Sequence, residues 1–302
     1  MDPFRIVVLG DSIPWGQGLL PAHKYPAVLA QQLSTTYTVS TDVVAHSGAT
    51  IGAGATAGAS APHGEVPDAY PTILTQCTTY TQAPDTVDLV LLNGGINDVG
   101  VATIVNPLTT HDHLTSQTIR YCYDDMRLLL RAIATTFTKP TARIVVTGYY
   151  PILSAASDPV GVRHLLACHG LQVPPIVAES LLLERLVDLC ATFWHTSDTS
   201  LARAVTDANA AEGHGRIRFV PTQFQPQNAA YGPAAWLFSL QRDFAFSPAD
   251  EVIPQRHAAC ELFHPHLLEI FPREQCFRAS VGHPNIAGAQ HYADVISGAL
   301  QL

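Results

Sequence analysis

Three short runs of apolar, largely β-branched residues each break on glycine, and they fix most of what this chain can become. The runs are Phe4-Arg5-Ile6-Val7-Val8-Leu9-Gly10, Asp88-Leu89-Val90-Leu91-Leu92-Asn93-Gly94-Gly95 and Arg143-Ile144-Val145-Val146-Thr147-Gly148. They are too short for helices and lack polar alternation, so they read as strands covered on both faces and ending in tight turns. Val39 to Ala45 and Arg216 to Val220 are weaker versions of the same pattern. Helical stretches lie between them: Tyr25 to Leu33, about Leu114 to Phe137 with Met126, Leu129, Leu130 and Ile133 at helical spacing, and Ile176 to Ala210. This alternation predicts an α/β protein, a three-layer α/β/α sandwich with a central parallel sheet of about five strands. Ligands of such sheets collect outside the carboxyl ends of the strands, so candidate site residues should follow the runs.

Composition narrows the function classes. The 302 residues include 16 Lys+Arg against 25 Asp+Glu, a formal charge of −9, and 47% are hydrophobic. That apolar content excludes intrinsic disorder. With Lys24 and Lys139 as its only lysines, the chain has no basic stripe to neutralise phosphates, so no nucleic-acid partner is expected. No transmembrane segment is expected either, because no run approaches the roughly 18 apolar residues a spanning helix needs. Met1-Asp2-Pro3-Phe4 shows no leader pattern, which suits a cytoplasmic chain or a processed extracellular one; the latter is favoured. The six cysteines contain no C-x-x-C, and sequence order favours bridges between neighbours: 77 with 122, 168 with 190, 260 with 276.

Two segments invite and resist interpretation. Thr50 to Ala61 is rich in small residues, but Gly52-Ala53-Gly54 places its third glycine, Gly58, one residue late for a dinucleotide loop, so no cofactor is expected. Residues 221 to 280 carry seven of the prolines and many aromatics, including Phe224, Tyr231, Trp236 and Phe246. That composition reads as an irregular insertion that covers the core or walls a substrate.

The chemistry begins where the first run ends. In Gly10-Asp11-Ser12 a serine emerges from a tight turn, well placed as a nucleophile. A hydroxyl is weak alone and needs a base within hydrogen-bond reach and donors for the developing oxyanion. Four blocks supply such groups in order: Gly10-Asp11-Ser12-Ile13, His46-Ser47-Gly48-Ala49-Thr50, Gly95-Ile96-Asn97-Asp98 and His283-Pro284-Asn285. Each alone could be a helix cap or a turn. Together they resemble the SGNH (GDSL-type) hydrolases, serine esterases whose blocks span nearly the whole domain. The resemblance implies Ser12 as nucleophile, His283 as general base, and an oxyanion hole from the backbone N–H groups of Ser12 and Gly48 and the side-chain amide of Asn97. A site joining residues 12 and 283 further implies one domain over residues 1–302.

The chain departs from the family where an aspartate usually stands three residues before the histidine, because that position is Ser280. The resemblance allows a Ser-His dyad in which the Ser280 main-chain carbonyl orients the imidazole and leaves Nε2 free as base. Without a carboxylate, the imidazolium loses Coulombic support, so its pKa should be low and activity should extend to mildly acidic pH. Asp243, Asp250, Glu251 and Asp294 are the candidates for a hidden carboxylate, while Asp11 and Asp98 are expected to hold turns. His111-Asp112-His113 and His264-Pro265-His266 lack further ligands at metal-binding intervals, so no metal is expected. The expected function is hydrolysis of a small-molecule or lipid ester through an acyl-enzyme, the aromatic tract favouring acyl chains. Acyl transfer to another acceptor, or a non-catalytic binding module on the same fold, are the alternatives.

Overall fold

The computed structural model describes residues 1–52, 63–172, 174, 177–241, 245–266 and 269–301. Five strands form one sheet: β1 (Asp2–Leu9), β2 (Tyr37–Val43), β3 (Leu89–Leu92), β4 (Arg143–Thr147) and β5 (Ile217–Val220). Their order is β2-β1-β3-β4-β5 and every neighbouring pair is parallel. The expected α/β sheet is therefore present, with all five strands where the apolar runs place them to within three residues.

Helices connect the strands. They are α1 (Ser12–Trp15), α2 (Tyr25–Leu33), α3 (Ile73–Thr78), α4 (Ile96–Val99), α5 (Val101–Ile104), α6 (His111–Ile119), α7 (Met126–Thr136), α8 (Val162–Cys168), α9 (Glu179–Glu212), α10 (Ile253–Phe263), α11 (Ile270–Phe277) and α12 (Ile286–Leu300). Helices α2 and α12 pack together in one layer, with Tyr25 stacked on Tyr292 at 5.3 Å between centroids, and α3, α7 and α9 pack in the other. The segment anticipated as one helix from Leu114 is α6 and α7 joined through a π-helical stretch, Arg120–Asp125. Among the described residues, no helix is long and apolar enough to cross a membrane.

The sheet explains why the site forms where it does. Val7, Val90, Ile144 and Ile217 stand side by side across four strands, and Leu9 stands beside Leu92, itself beside Val146. The apolar runs therefore end nearly level, and the residues after them leave along one edge. Ile6 to Leu9 are each 0% exposed, as a strand covered on both faces requires. By contrast β2 alternates between half-buried and exposed, the pattern of an edge strand. One hydrophobic cluster runs from Ile6 to Leu300, and a much smaller one, Val66, Ala259, Cys260 and Cys276, lies between α10 and α11.

Two expectations need correction. Residues 221 to 280 are not irregular throughout: besides a short hairpin, β6 (Ser239–Leu240) with β7 (Phe246–Ser247), they hold α10 and α11. Pro254 falls in the first turn of α10, where its missing N–H costs nothing and its fixed φ favours the helix. Of the three cysteine pairs, one forms, Cys260–Cys276, joining α10 to α11. Cys77, Cys122, Cys168 and Cys190 are free and buried, small apolar fillers of the core; Cys122 Sγ lies where a Cβ on Gly95 would come within 2.8 Å. Most of the small-residue loop, 53–61, lies outside the described residues.

Candidate active site

The turn after β1 is held by packing that only glycine permits. Gly10 has φ +134°, and a Cβ there would stand 2.5 Å from the Asn93 carbonyl oxygen and from Pro14. Asp11 then caps α1, accepting from the Ile13 N–H at 2.9 Å, while its other oxygen accepts from the Tyr149 hydroxyl at 3.1 Å. The Tyr149 oxygen in turn accepts from the Ile96 N–H at 3.0 Å, tying the turn after β1 to α4 after β3. Burial pushes the Asp11 carboxyl up to about 7. Ser12 opens α1, 4% exposed, with its side chain in the cleft.

Gly48 follows β2 in a turn bonded to the first: the His46 N–H donates to the Gly10 carbonyl at 3.0 Å. Its φ is +78°, and a Cβ would stand 2.4 Å from the Asp68 backbone nitrogen. Asn97 sits on α4, and its amide donates to the Ala49 carbonyl at 3.1 Å. Next to it, both carboxylate oxygens of Asp98 accept from the Ile51 N–H, at 3.0 and 3.2 Å. Residues 97 and 98 thus clamp the loop that presents Gly48. Burial raises the Asp98 carboxyl to about 6.

His283 arrives from the far end of the chain, and its Nε2 is 2.6 Å from Ser12 Oγ. Its backbone is fixed on both sides. The His283 carbonyl accepts from the Phe238 N–H at 2.8 Å, the Gly282 N–H donates to the Phe238 carbonyl at 2.8 Å, and Asn285 caps α12. The ring reaches the cleft yet is densely surrounded, and burial lowers its pKa to about 4; His169, at the end of α8, adds like-charge repulsion. Carbonyls of Ser280 and Val281 oppose that shift by favouring the protonated ring. The Ser280 carbonyl, however, accepts the His283 backbone N–H at 2.9 Å, and Nδ1 itself makes no hydrogen bond.

No described carboxylate reaches the imidazole. Glu251 is paired with His23 at 2.7 Å, and Asp294 accepts from Gln32 and Gln290 at 2.8 and 2.9 Å. Asp243 lies outside the described residues. Asp250 accepts from the Ser280 hydroxyl and from Arg256. Among the described residues, no group of three or more His, Cys, Asp or Glu side chains is placed to hold a metal; His111 pairs with Asp188 at 2.8 Å.

Ser12, Gly48, Asn97 and His283 all line one cavity of about 310 Å³ at the carboxyl edge of the sheet. Its walls are largely apolar, with Val101 and Ala102 on one side and Ile152, Ala279 and Val281 on the other. His169 also lines it, and nothing in the sequence singled that residue out. Glu65 and Arg256, buried behind the cleft, were equally silent, since an isolated charge in a loop or on a short helix has no periodicity to betray it.

A parallel sheet wrapped by helices, with a serine, an imidazole and amide groups gathered at its carboxyl edge, defines an α/β enzyme fold of hydrolytic type. Residues 8–167, just over half of the chain, match the GDSL-like lipase/acylhydrolase family. The chain belongs to that family and is a carboxylic ester hydrolase. An extracellular lipase from Streptomyces rimosus shares the fold with a TM-score of 0.55 and 18% identity, over 98% of this chain and 99% of that one. A phospholipase A1 from Streptomyces albidoflavus NA297 does so with a TM-score of 0.51 and 15% identity, over 98% of each chain. No curated protein shows a significant match to the sequence.

Proposed function

We propose that the chain, acting as one domain over residues 1–302, hydrolyses acyl esters through an acyl-enzyme on Ser12, with His283 as general base. The observation that carries this reading is the 2.6 Å contact between Ser12 Oγ and His283 Nε2, in a cavity that Gly48 and Asn97 share. Ser12 Oγ attacks the acyl carbon while its proton passes to Nε2. The carbonyl oxygen becomes an oxyanion, accepting from the backbone N–H groups of Ser12 and Gly48 and from the Asn97 amide. The Asn97 bond to Ala49 uses one amide hydrogen and leaves the other for substrate. Collapse breaks the ester C–O bond, and the imidazolium returns the proton to the departing alkoxide. Water then attacks the acyl carbon by the same route, His283 taking its proton and passing it to Ser12 Oγ as the acyl C–O bond to serine breaks and the acid departs.

The apolar lining favours a hydrocarbon acyl group. Acyl transfer differs only in what replaces water in the second step. A binding module would keep the cavity but lack turnover. Incubation with a fluorophosphonate, followed by mass mapping, should label Ser12, and p-nitrophenyl esters from acetate to palmitate should be turned over. Ser12→Ala should lower kcat by about 10⁵-fold or more. Labelling elsewhere, or a wild type no faster than Ser12→Ala, overturns the reading.

A further inference from the structure

Behind the cleft lies a group of buried charges that the reaction above does not use. Arg256 is 0% exposed, and it bridges two buried carboxylates: one guanidinium nitrogen donates to Asp250, the other to Glu65 at 3.2 Å. Its Nε donates to the Phe277 carbonyl at 3.1 Å. Every remaining oxygen of the two acids is also engaged. Asp250 accepts from the Val252 N–H at 2.9 Å and from the Ser280 hydroxyl, while Glu65 accepts from the Trp15 indole N–H at 2.8 Å and the Gly18 N–H at 3.1 Å. Such complete satisfaction makes a buried polar group rigid.

The partners are what make the group informative. Trp15 and Gly18 lie three and six residues after Ser12, and Ser280 lies three residues before His283. The Gln17 side-chain amide adds a bond to the Glu65 carbonyl at 2.9 Å. One arm therefore grips the segment that carries the serine, the other grips the turn that carries the histidine, and Arg256 joins them.

We infer that Glu65, Arg256 and Asp250 form a buried clamp of positioning residues, setting the spacing between Ser12 and His283 from behind the cleft. This rests on Ser12 and His283 acting as nucleophile and base. The carboxylate absent from the imidazole is set back by one hydroxyl, and it holds the histidine's turn rather than its ring. A dyad without a third member bonded to Nδ1 depends on such outside support, because a displacement of about 1 Å from remote causes can cost about 100-fold in rate.

Ser280→Ala cuts the histidine arm, and Trp15→Phe weakens the serine arm by removing one of its three bonds to Glu65, each leaving Arg256 between its two carboxylates. On a p-nitrophenyl ester, each should lower kcat roughly 10- to 100-fold with KM and melting temperature close to wild type. The double variant should fall little further than the worse single one, because both arms fix the same distance. Wild-type kcat in both variants, or a kcat loss that merely follows lost stability, overturns the inference. A second measurement needs no turnover: NMR titration of the His283 imidazole. The ring bonds Ser12 and feels the charges of His169 and Arg256 and the Ser280 and Val281 carbonyls, all retained in Ser280→Ala, which removes only the hydroxyl that bonds Asp250. A loosened ring gains water, so its midpoint should rise towards that of a free histidine; an unmoved midpoint also overturns the clamp. A wild type that neither turns over esters nor labels at Ser12 defeats the hydrolase reading alone, and the titration then decides the clamp by itself.

Discussion

The two walls of the cleft are built by different means. On one side Ser12, Gly48 and Asn97 hang from strand ends whose register is fixed by a continuous ladder and by Ile6 to Leu9 at 0% exposure. Across from them, His283 is held by a turn, two short helices with a core of four residues, one disulfide and three buried charges. The family match, residues 8–167, covers the first wall and stops well short of the second. Backbone ladders position groups through bonds that any sequence of suitable pattern can make, whereas the second wall adds to a few backbone bonds with Phe238 and Trp236 a reliance on particular side chains. The first should keep its geometry under volume-conserving core substitution, and the second should lose alignment when one partner is removed.

The strongest way to break this contrast is Arg256→Met, which leaves Asp250 and Glu65 buried without their cation. A loss of about 3–5 kcal/mol is expected. Hydrogen exchange should show it as opening of α10 and α11, with the sheet protected; uniform loss would mean that the walls are one cooperative unit. On the opposite wall, Asn97→Ala should lower kcat about 10²- to 10³-fold with little change in melting temperature, since only one side-chain bond, to Ala49, is lost. Steady-state kinetics beside a thermal melt would show a coupled loss if Asn97 were mainly structural.

Replacing Cys260 and Cys276 together by serine opens a loop with a sequence separation of 16. Chain entropy puts the cost at about 3 kcal/mol, read by denaturant unfolding, and α11 should loosen first. The smallest effect near neutrality is that of pH. His283 must be unprotonated to act as base, and burial places its pKa at about 4. Its neutral form therefore persists as pH falls through the free-histidine range, and kcat/KM should hold to about pH 5 before declining towards 4. An inflection above about 7 in the pH profile would place a carboxylate on the imidazole.

What could be read from the sequence follows the same divide. The inner strands were legible because doubly covered parallel strands write themselves as unbroken β-branched runs, and Ser12 and Asn97 were legible because each follows such a run, whereas Gly48 follows the weaker run of the edge strand β2. Helices α10 and α11 were hidden by prolines that looked like breakers, though Pro254 sits where a helix starts. The Cys260–Cys276 bridge matched sequence proximity, but Cys77 and Cys190 serve as buried fillers in layers that neighbour order does not reveal. Asp250 stood among the candidate carboxylates, yet its partner is Ser280 and not the imidazole. Nothing local to residue 65 or 256 could announce a contact 191 residues apart.

The separation of 271 residues between Ser12 and His283 has a consequence for synthesis. A ribosome adds roughly 5–20 residues per second, so on the proposed mechanism the serine waits on the order of 15–50 s for its base. On that reading the nascent polypeptide carries an unactivated alcohol until then, and the cell is spared a stray esterase during translation.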